Sequence, residues 1–144
     1  MNRKQYLEYV EHFNKKEFDK VAGYFTPDIT VEYPDNFAGP EITARTLHGP
    51  KEFIDNYVSL TSNVKEVLEV TEFLSEGKQL FVELYTEFHT FRDVPAGAGG
   101  LGRKKGDITI MNNWVLYDLD KKGKMKRIRI AHFRNADPKT AKYK

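Results

Sequence analysis

At 144 residues and 16.7 kDa the chain has the length of one domain, enough to bury roughly 70% of its unfolded surface without staples. Zero cysteines exclude disulfides, thiolate zinc sites and a cysteine nucleophile, and the 40% hydrophobic residues include no run near the ~18 that cross a membrane. Net charge is +2, yet residues 1–100 carry 10 Lys/Arg against 17 Asp/Glu, and residues 101–144 carry 13 against 4. The expectation is a single soluble, cytoplasmic domain spanning 1–144, with 138–144 a loose tail and no membrane partner. A basic C-terminal third could dock a phosphate backbone, but basic strands set beside acidic ones in one sheet or dimer explain the same asymmetry. A nucleic-acid partner is therefore not expected.

In chain order, Tyr6, Leu7, Val10 and Phe13 recur at helical spacing, and Phe18, Val21, Ala22 and Phe25 form a second short set with Asn14 placed to cap it. Thr26-Pro27-Asp28 ends that helix. Ile29, Val31 and Tyr33 alternate with Thr30 and Glu32 as a strand, followed by a loop broken by Pro34, Gly39 and Pro40 that is long enough to act as a lid. Gly49-Pro50 opens a third helix whose Phe53, Ile54, Tyr57, Val58 and Thr61 share a face. From Val64 the period becomes two, predicting strands at Val64–Leu74, Gln79–Phe91, Asp107–Leu119 and Met125–Phe133. The fold class is α+β, a curved and largely antiparallel sheet packed on three N-terminal helices. Strands this long bend, and a bent sheet closed by helices leaves a cone that side chains cannot fill.

The element order, Phe25-Thr26-Pro27-Asp28-Ile29-Thr30-Val31, the Leu47-His48-Gly49-Pro50 approach to helix three and the Gly123-Lys124-Met125 turn resemble the NTF2-like superfamily. More narrowly, residues 4–137 look like its SnoaL-like branch of polyketide cyclases and fungal natural-product isomerases. That resemblance implies an NTF2-like cone and a cofactor-independent cyclase, isomerase or dehydratase acting on an apolar, carbonyl-containing natural-product intermediate. It also implies a His-x-Asp pair on the last strand, where aligning the turn puts Ile128 and Ile130 instead. The missing pair leaves open a non-catalytic module for small-molecule binding or homodimerisation.

Other chemistries lack candidates. Gly97-Ala98-Gly99-Gly100-Leu101-Gly102 fits G-x-G-x-x-G, but a strand follows where a phosphate-binding helix is needed, so a flexible loop that can swing over a pocket is expected. Asp118-x-Asp120-x-x-Gly123 starts like a calcium loop, yet Lys122 and Arg129 occupy ligand positions and a hairpin turn fits better. His12, His48, His89 and His132 show no metal-ligand spacing, and no metal or other cofactor is expected.

Acid–base work in a desolvated pocket remains. Alternation puts Ile128, Ile130, His132 and Arg134 on one face of the last strand, pairing an imidazole able to act as base or acid with a permanent cation. The alternative is a packing histidine and an ion-paired arginine. Glu83 and Glu87 stand roughly 13 Å apart along one strand, so at most one is catalytic, and both could instead meet Arg127 and Arg129 on the outer face. Of Asn112 and Asn113 one must face inward. The candidate catalytic set is His132, Arg134, Glu83 and Asn113, with Tyr33, Tyr57, Trp114, Tyr117, Ile128 and Ile130 as substrate contacts.

Overall fold

The Asn2 side chain accepts the Gln5 amide while Gln5 returns a bond to the Asn2 amide, a reciprocal cap that starts helix α1 at Arg3–Asn14. The computed structural model describes residues 1–34, 44–96 and 102–143, in which α1 is followed by α2 (Phe18–Ala22), β1 (Phe25–Tyr33), β2 (Arg45–His48) and α3 (Gly49–Thr61). Four long strands complete the order: β3 (Val64–Glu76), β4 (Gln79–Thr90), β5 (Ile108–Leu119) and β6 (Met125–Ala136). The expected lid around Gly39–Pro40 and the Gly97–Leu101 part of the glycine-rich loop lie outside the described residues. No helix among the described residues is long and apolar enough to cross a membrane.

The six strands form one open, curved sheet in the order β2-β1-β6-β5-β4-β3, antiparallel everywhere except where β1 runs parallel to β6. Three helices cover its concave face. Their apolar stripes, Tyr6, Tyr9, Val10 and Phe13 on α1 and Phe53 and Tyr57 on α3, meet Ile29 and Val31 of β1 and the inward row Leu80, Val82 and Leu84 of β4. Burying each large side chain contributes about 1.5–3 kcal/mol. The rings interlock edge to face, with Phe25 and Phe53 centroids 4.8 Å apart and Phe13 and Tyr57 4.9 Å apart.

Three expectations are corrected. Asn14 does not cap α2; its amide donates to the Leu68 carbonyl and accepts the Leu68 amide, fastening α1 to β3 like an extra strand residue. Leu7 and Val58 are exposed: on α1 Tyr9 turns to the core instead of Leu7, and on α3 the buried stripe narrows to the expected Phe53 and Tyr57. The expected loose tail is docked: Pro138–Thr140 form a 3₁₀ turn, and the Lys142 and Tyr143 amides then donate to the Glu87 carboxylate. The Asp118–Gly123 segment is the expected hairpin turn, with Asp120 accepting the Lys122 and Lys124 amides and Gly123 at φ +80.

Register shifts decide which side chains look inward. Thr71 of β3 and Lys126 and Phe133 of β6 are skipped by the pairing, so each inverts the alternation beyond it. His132 therefore pairs with Asn113 on the concave face, while Arg134 pairs with Asn112 on the convex one.

Candidate active site

Between the helices and the concave face lies a cavity of about 450 Å³. Its floor is apolar: Phe13, Val31, Phe53, Leu68, Leu84, Phe88, Val115, Ile128 and Ile130 line it. Polar groups reach it from six elements among others: Tyr33 from β1, Tyr57 from α3, Glu66 from β3, Thr86 from β4, Asn113 and Tyr117 from β5, and His132 from β6. A hollow of this size, mostly greasy with a few convergent polar atoms, is what small-molecule sites share.

Three of its phenols, Tyr33, Tyr57 and Tyr117, are paired and un-ionised. Tyr33 and Tyr57 hydroxyls are 2.6 Å apart, as are those of Tyr6 and Tyr117. Burial pushes Tyr33 up to about 12 and Tyr57 and Tyr117 well above the ordinary phenol range, so none is a base near neutrality.

Glu66 differs in kind. It follows Val64 and precedes Leu68 on the inward row of β3, and its Oε2 is out of contact with solvent and without a hydrogen-bond partner. Burial pushes this carboxyl up to about 8, even against the opposing pull of Arg103. Arg103 stands on a short ribbon held by reciprocal amide bonds with Val94 and lies over the Phe88 ring at 5.4 Å. Gly102 makes that approach feasible, since its φ is +77 and a Cβ there would sit 2.8 Å from the Ala96 nitrogen. Arg103 Nη1 and Thr86 Oγ1 are likewise buried and unpartnered. Three of the five such side-chain polar atoms among the described residues thus line this one cavity.

The structure sorts the candidates taken from the sequence. His132, Asn113, Tyr33, Tyr57, Tyr117, Ile128 and Ile130 line the cavity, and the His132 Nε2 sits 2.9 Å from Asn135 Oδ1. Arg134, Glu83 and Trp114 do not. The unpaired Phe133 turns Arg134 to the convex face, where Glu83 accepts from the Trp114 indole and the Thr71 hydroxyl. Nor do Glu83 and Glu87 meet Arg127 and Arg129, which pair with Glu32 and Asp118. Glu87 is instead enclosed under the tail. Glu66, Thr86 and Arg103 are functional candidates that sequence reasoning overlooked. A charge interrupting the apolar row Val64, Leu68 and Val70 is a signal for Glu66; Arg103 opens the basic run Arg103-Lys104-Lys105, which reads as a phosphate contact and gives no sign of a cavity.

The cone shape has wide company. An NTF2-like protein from Burkholderia pseudomallei superposes with a TM-score of 0.67 at 16% identity, covering 90% of this chain and 88% of its own. A protein of Xanthomonas campestris described as a candidate polyketide cyclase gives 0.66 at 16% identity, over 87% and 84%. A candidate ketosteroid isomerase from Kribbella flavida gives 0.65 at 15%, over 94% and 80%. Such identities establish the NTF2-like fold alone. A search of curated proteins finds no sequence match. The model of the SnoaL-like domain matches residues 6–128, and the chain belongs to that family.

Proposed function

We propose that the protein is a cofactor-independent acid–base enzyme, a cyclase, isomerase or dehydratase acting on an apolar carbonyl-containing intermediate of natural-product metabolism. The observation that carries this reading is the largely apolar cavity into which His132, Asn113 and an unpartnered, neutral-range carboxyl all project. Such a site strips water from a carbonyl compound, so a proton can leave carbon or oxygen with charge held by fixed dipoles rather than by reorganising solvent. His132 is oriented by Asn135 and moves the proton; the Asn113 amide, next to it across the β5–β6 ladder, donates to the oxygen that becomes negative. Tyr33 and Tyr57 shape the substrate's apolar body. Structural neighbours described as a polyketide cyclase and a ketosteroid isomerase support the reaction class by analogy of fold.

The reading is tested by α-proton exchange. Apolar ketones and 1,3-diketones are incubated with the protein in deuterium oxide and followed by NMR. Exchange above that of heat-denatured protein, reduced at least tenfold in His132→Ala, is expected. No exchange with any compound of the panel, despite saturable binding, would favour the non-catalytic binding module, for which the apolar Ile128 and Ile130 wall speaks.

We further infer a homodimer. On the convex face the Trp114 and Phe133 rings stack at 4.1 Å, Phe81 meets Trp114 edge-on, and Trp114 and Phe133 stay 41% and 45% exposed. Apolar aromatics clustered on an open sheet face suit a second copy packing face to face.

A further inference from the structure

Resting on the reading of this cavity as the substrate site, we infer that its substrate is an apolar acid, a carbonyl compound bearing one carboxylate whose oxygens seat between Arg103, Glu66 and Thr86. Three buried polar atoms, Arg103 Nη1, Glu66 Oε2 and Thr86 Oγ1, reach the same hollow and none has a partner. They cluster around one ring: Phe88 pairs with Glu66 across the β3–β4 ladder, is two residues from Thr86 on the same inward row, and lies under the Arg103 guanidinium. Each unpartnered group has given up its hydration without a replacement bond, a loss that a matching ligand returns.

The sign of the charge selects the ligand. Arg103 and Glu66 do not close on each other as an ion pair, because β3 holds one and the Val94 ribbon holds the other. Arg45 at the rim is occupied, bonded to Asn56 and stacked on Tyr33, and the Asp107 carboxylate accepts the Lys104 amide. At neutral pH the Glu66 carboxyl is mostly protonated, so the carboxylate left to offset the part-buried Arg103 cation is that of Asp107, which is exposed and screened by solvent. A carboxylate supplies two acceptor oxygens and one negative charge, and charge-assisted bonds are roughly twice as strong as neutral ones. A ketone offers a single acceptor. An ammonium would be repelled by Arg103.

A pH signature follows. Glu66 is faced by Arg103 and His132, by Asp107 and Arg45 nearer the opening, and by the phenols of Tyr9, Tyr33 and Tyr57, which stay un-ionised. Ionising Glu66 removes a donor and adds a like charge beside the ligand. Affinity for the acid should therefore fall above pH ~8 by up to tenfold per unit, with proton uptake on binding.

The test compares 2-naphthoate, 2-acetonaphthone and 2-naphthylmethylamine by calorimetry at pH 6, 7 and 9. Naphthoate should bind at least tenfold tighter than the ketone at pH 7, with the amine weakest. Arg103→Gln should erase that preference while ketone binding persists, and Glu66→Gln should keep acid binding and flatten its pH dependence. A ketone bound as tightly as the acid, or a preference surviving in Arg103→Gln, would overturn the inference and leave the acid–base reading standing. If none of the three binds, the inference and the reading beneath it fall together.

Discussion

The Glu87 carboxylate on β4 accepts the backbone amide of Lys142, 2.5 Å away and fifty-five residues later in the chain. It also accepts the Tyr143 amide and the Tyr85 hydroxyl, and lies 2.7 Å from His89 Nε2, while Tyr143 and Lys142 reach Glu69. Burial alone would raise this carboxyl, but those bonds hold it down at about 2. The C-terminal segment thereby becomes part of the convex face.

Glu87→Gln should therefore cost about 2–3 kcal/mol in urea denaturation and release the tail, seen as lost hydrogen-exchange protection at the Lys142 and Tyr143 amides. The sign with pH follows from a depressed folded-state value. The contribution is complete above the unfolded pKa near 4.5 and disappears as pH falls toward 2. Full protection in the variant would show that other contacts hold the tail.

Glu66 carries the opposite sign. Its folded-state value, about 8, exceeds the 4.5 of the free side chain, so the folded chain binds the proton more tightly. Native stability is greatest below pH ~4.5 on this account and declines as pH rises to about 8. At about 1.4 kcal/mol per unit the loss amounts to a few kcal/mol at most. Denaturation of Glu66→Gln across pH 5–9 should lack that decline; an unchanged slope would mean the carboxyl finds water.

Convex and concave residues should separate kinetically. In the deuterium-exchange assay Arg134→Ala and Glu83→Ala are expected within about twofold of the parent, whereas His132→Ala loses at least tenfold, ~1.4 kcal/mol of transition-state stabilisation. A tenfold loss in Arg134→Ala would mean that β6 takes the other register when substrate binds.

Charging the aromatic patch addresses the dimer. Trp114→Asp combined with Phe133→Asp removes the stacked pair and sets a second carboxylate opposite Glu83, so the monomer should lose about 1–3 kcal/mol in urea denaturation and remain folded. Light scattering should report a dimer for the parent and a monomer for the variant. A monomeric parent ends the dimer proposal.

Gly102→Ala should move Arg103 without touching the floor of the cavity. Its φ of +77 and the 2.8 Å approach to Ala96 nitrogen force the ribbon to shift, at about 1–3 kcal/mol. The measurable consequence is weaker naphthoate binding with ketone binding retained.

Much of the molecule is legible from residue order alone. Period 3.6 over Tyr6–Phe13 and Phe53–Tyr57 and period two over the last four strands are local consequences of where side chains leave a backbone, so the α+β class is read from them directly, while the NTF2-like cone is what the resemblance of the quoted motifs implies. The same alternation placed Ile128, Ile130 and His132 on the face that proves to be concave. It failed at Arg134 because a single unpaired residue, Phe133, reverses parity, and that choice is made by packing against Trp114, not by the strand's own sequence. Strand β2 was missed for a related reason: four residues at Arg45–His48 carry no periodic signal and extend only because β1 offers an edge.

What the chain order determined, then, is the set of elements, the absence of thiol chemistry and the apolar character of the inner rows, since each depends on residues near one another in sequence. The tertiary structure alone decided that Glu66, Thr86 and Arg103 share a hollow and that Glu87 holds the C-terminal segment. Burial, the loss of hydrogen-bond partners and the shift of a carboxyl toward neutrality arise from atoms brought together across 17 to 55 residues, and no local pattern encodes them.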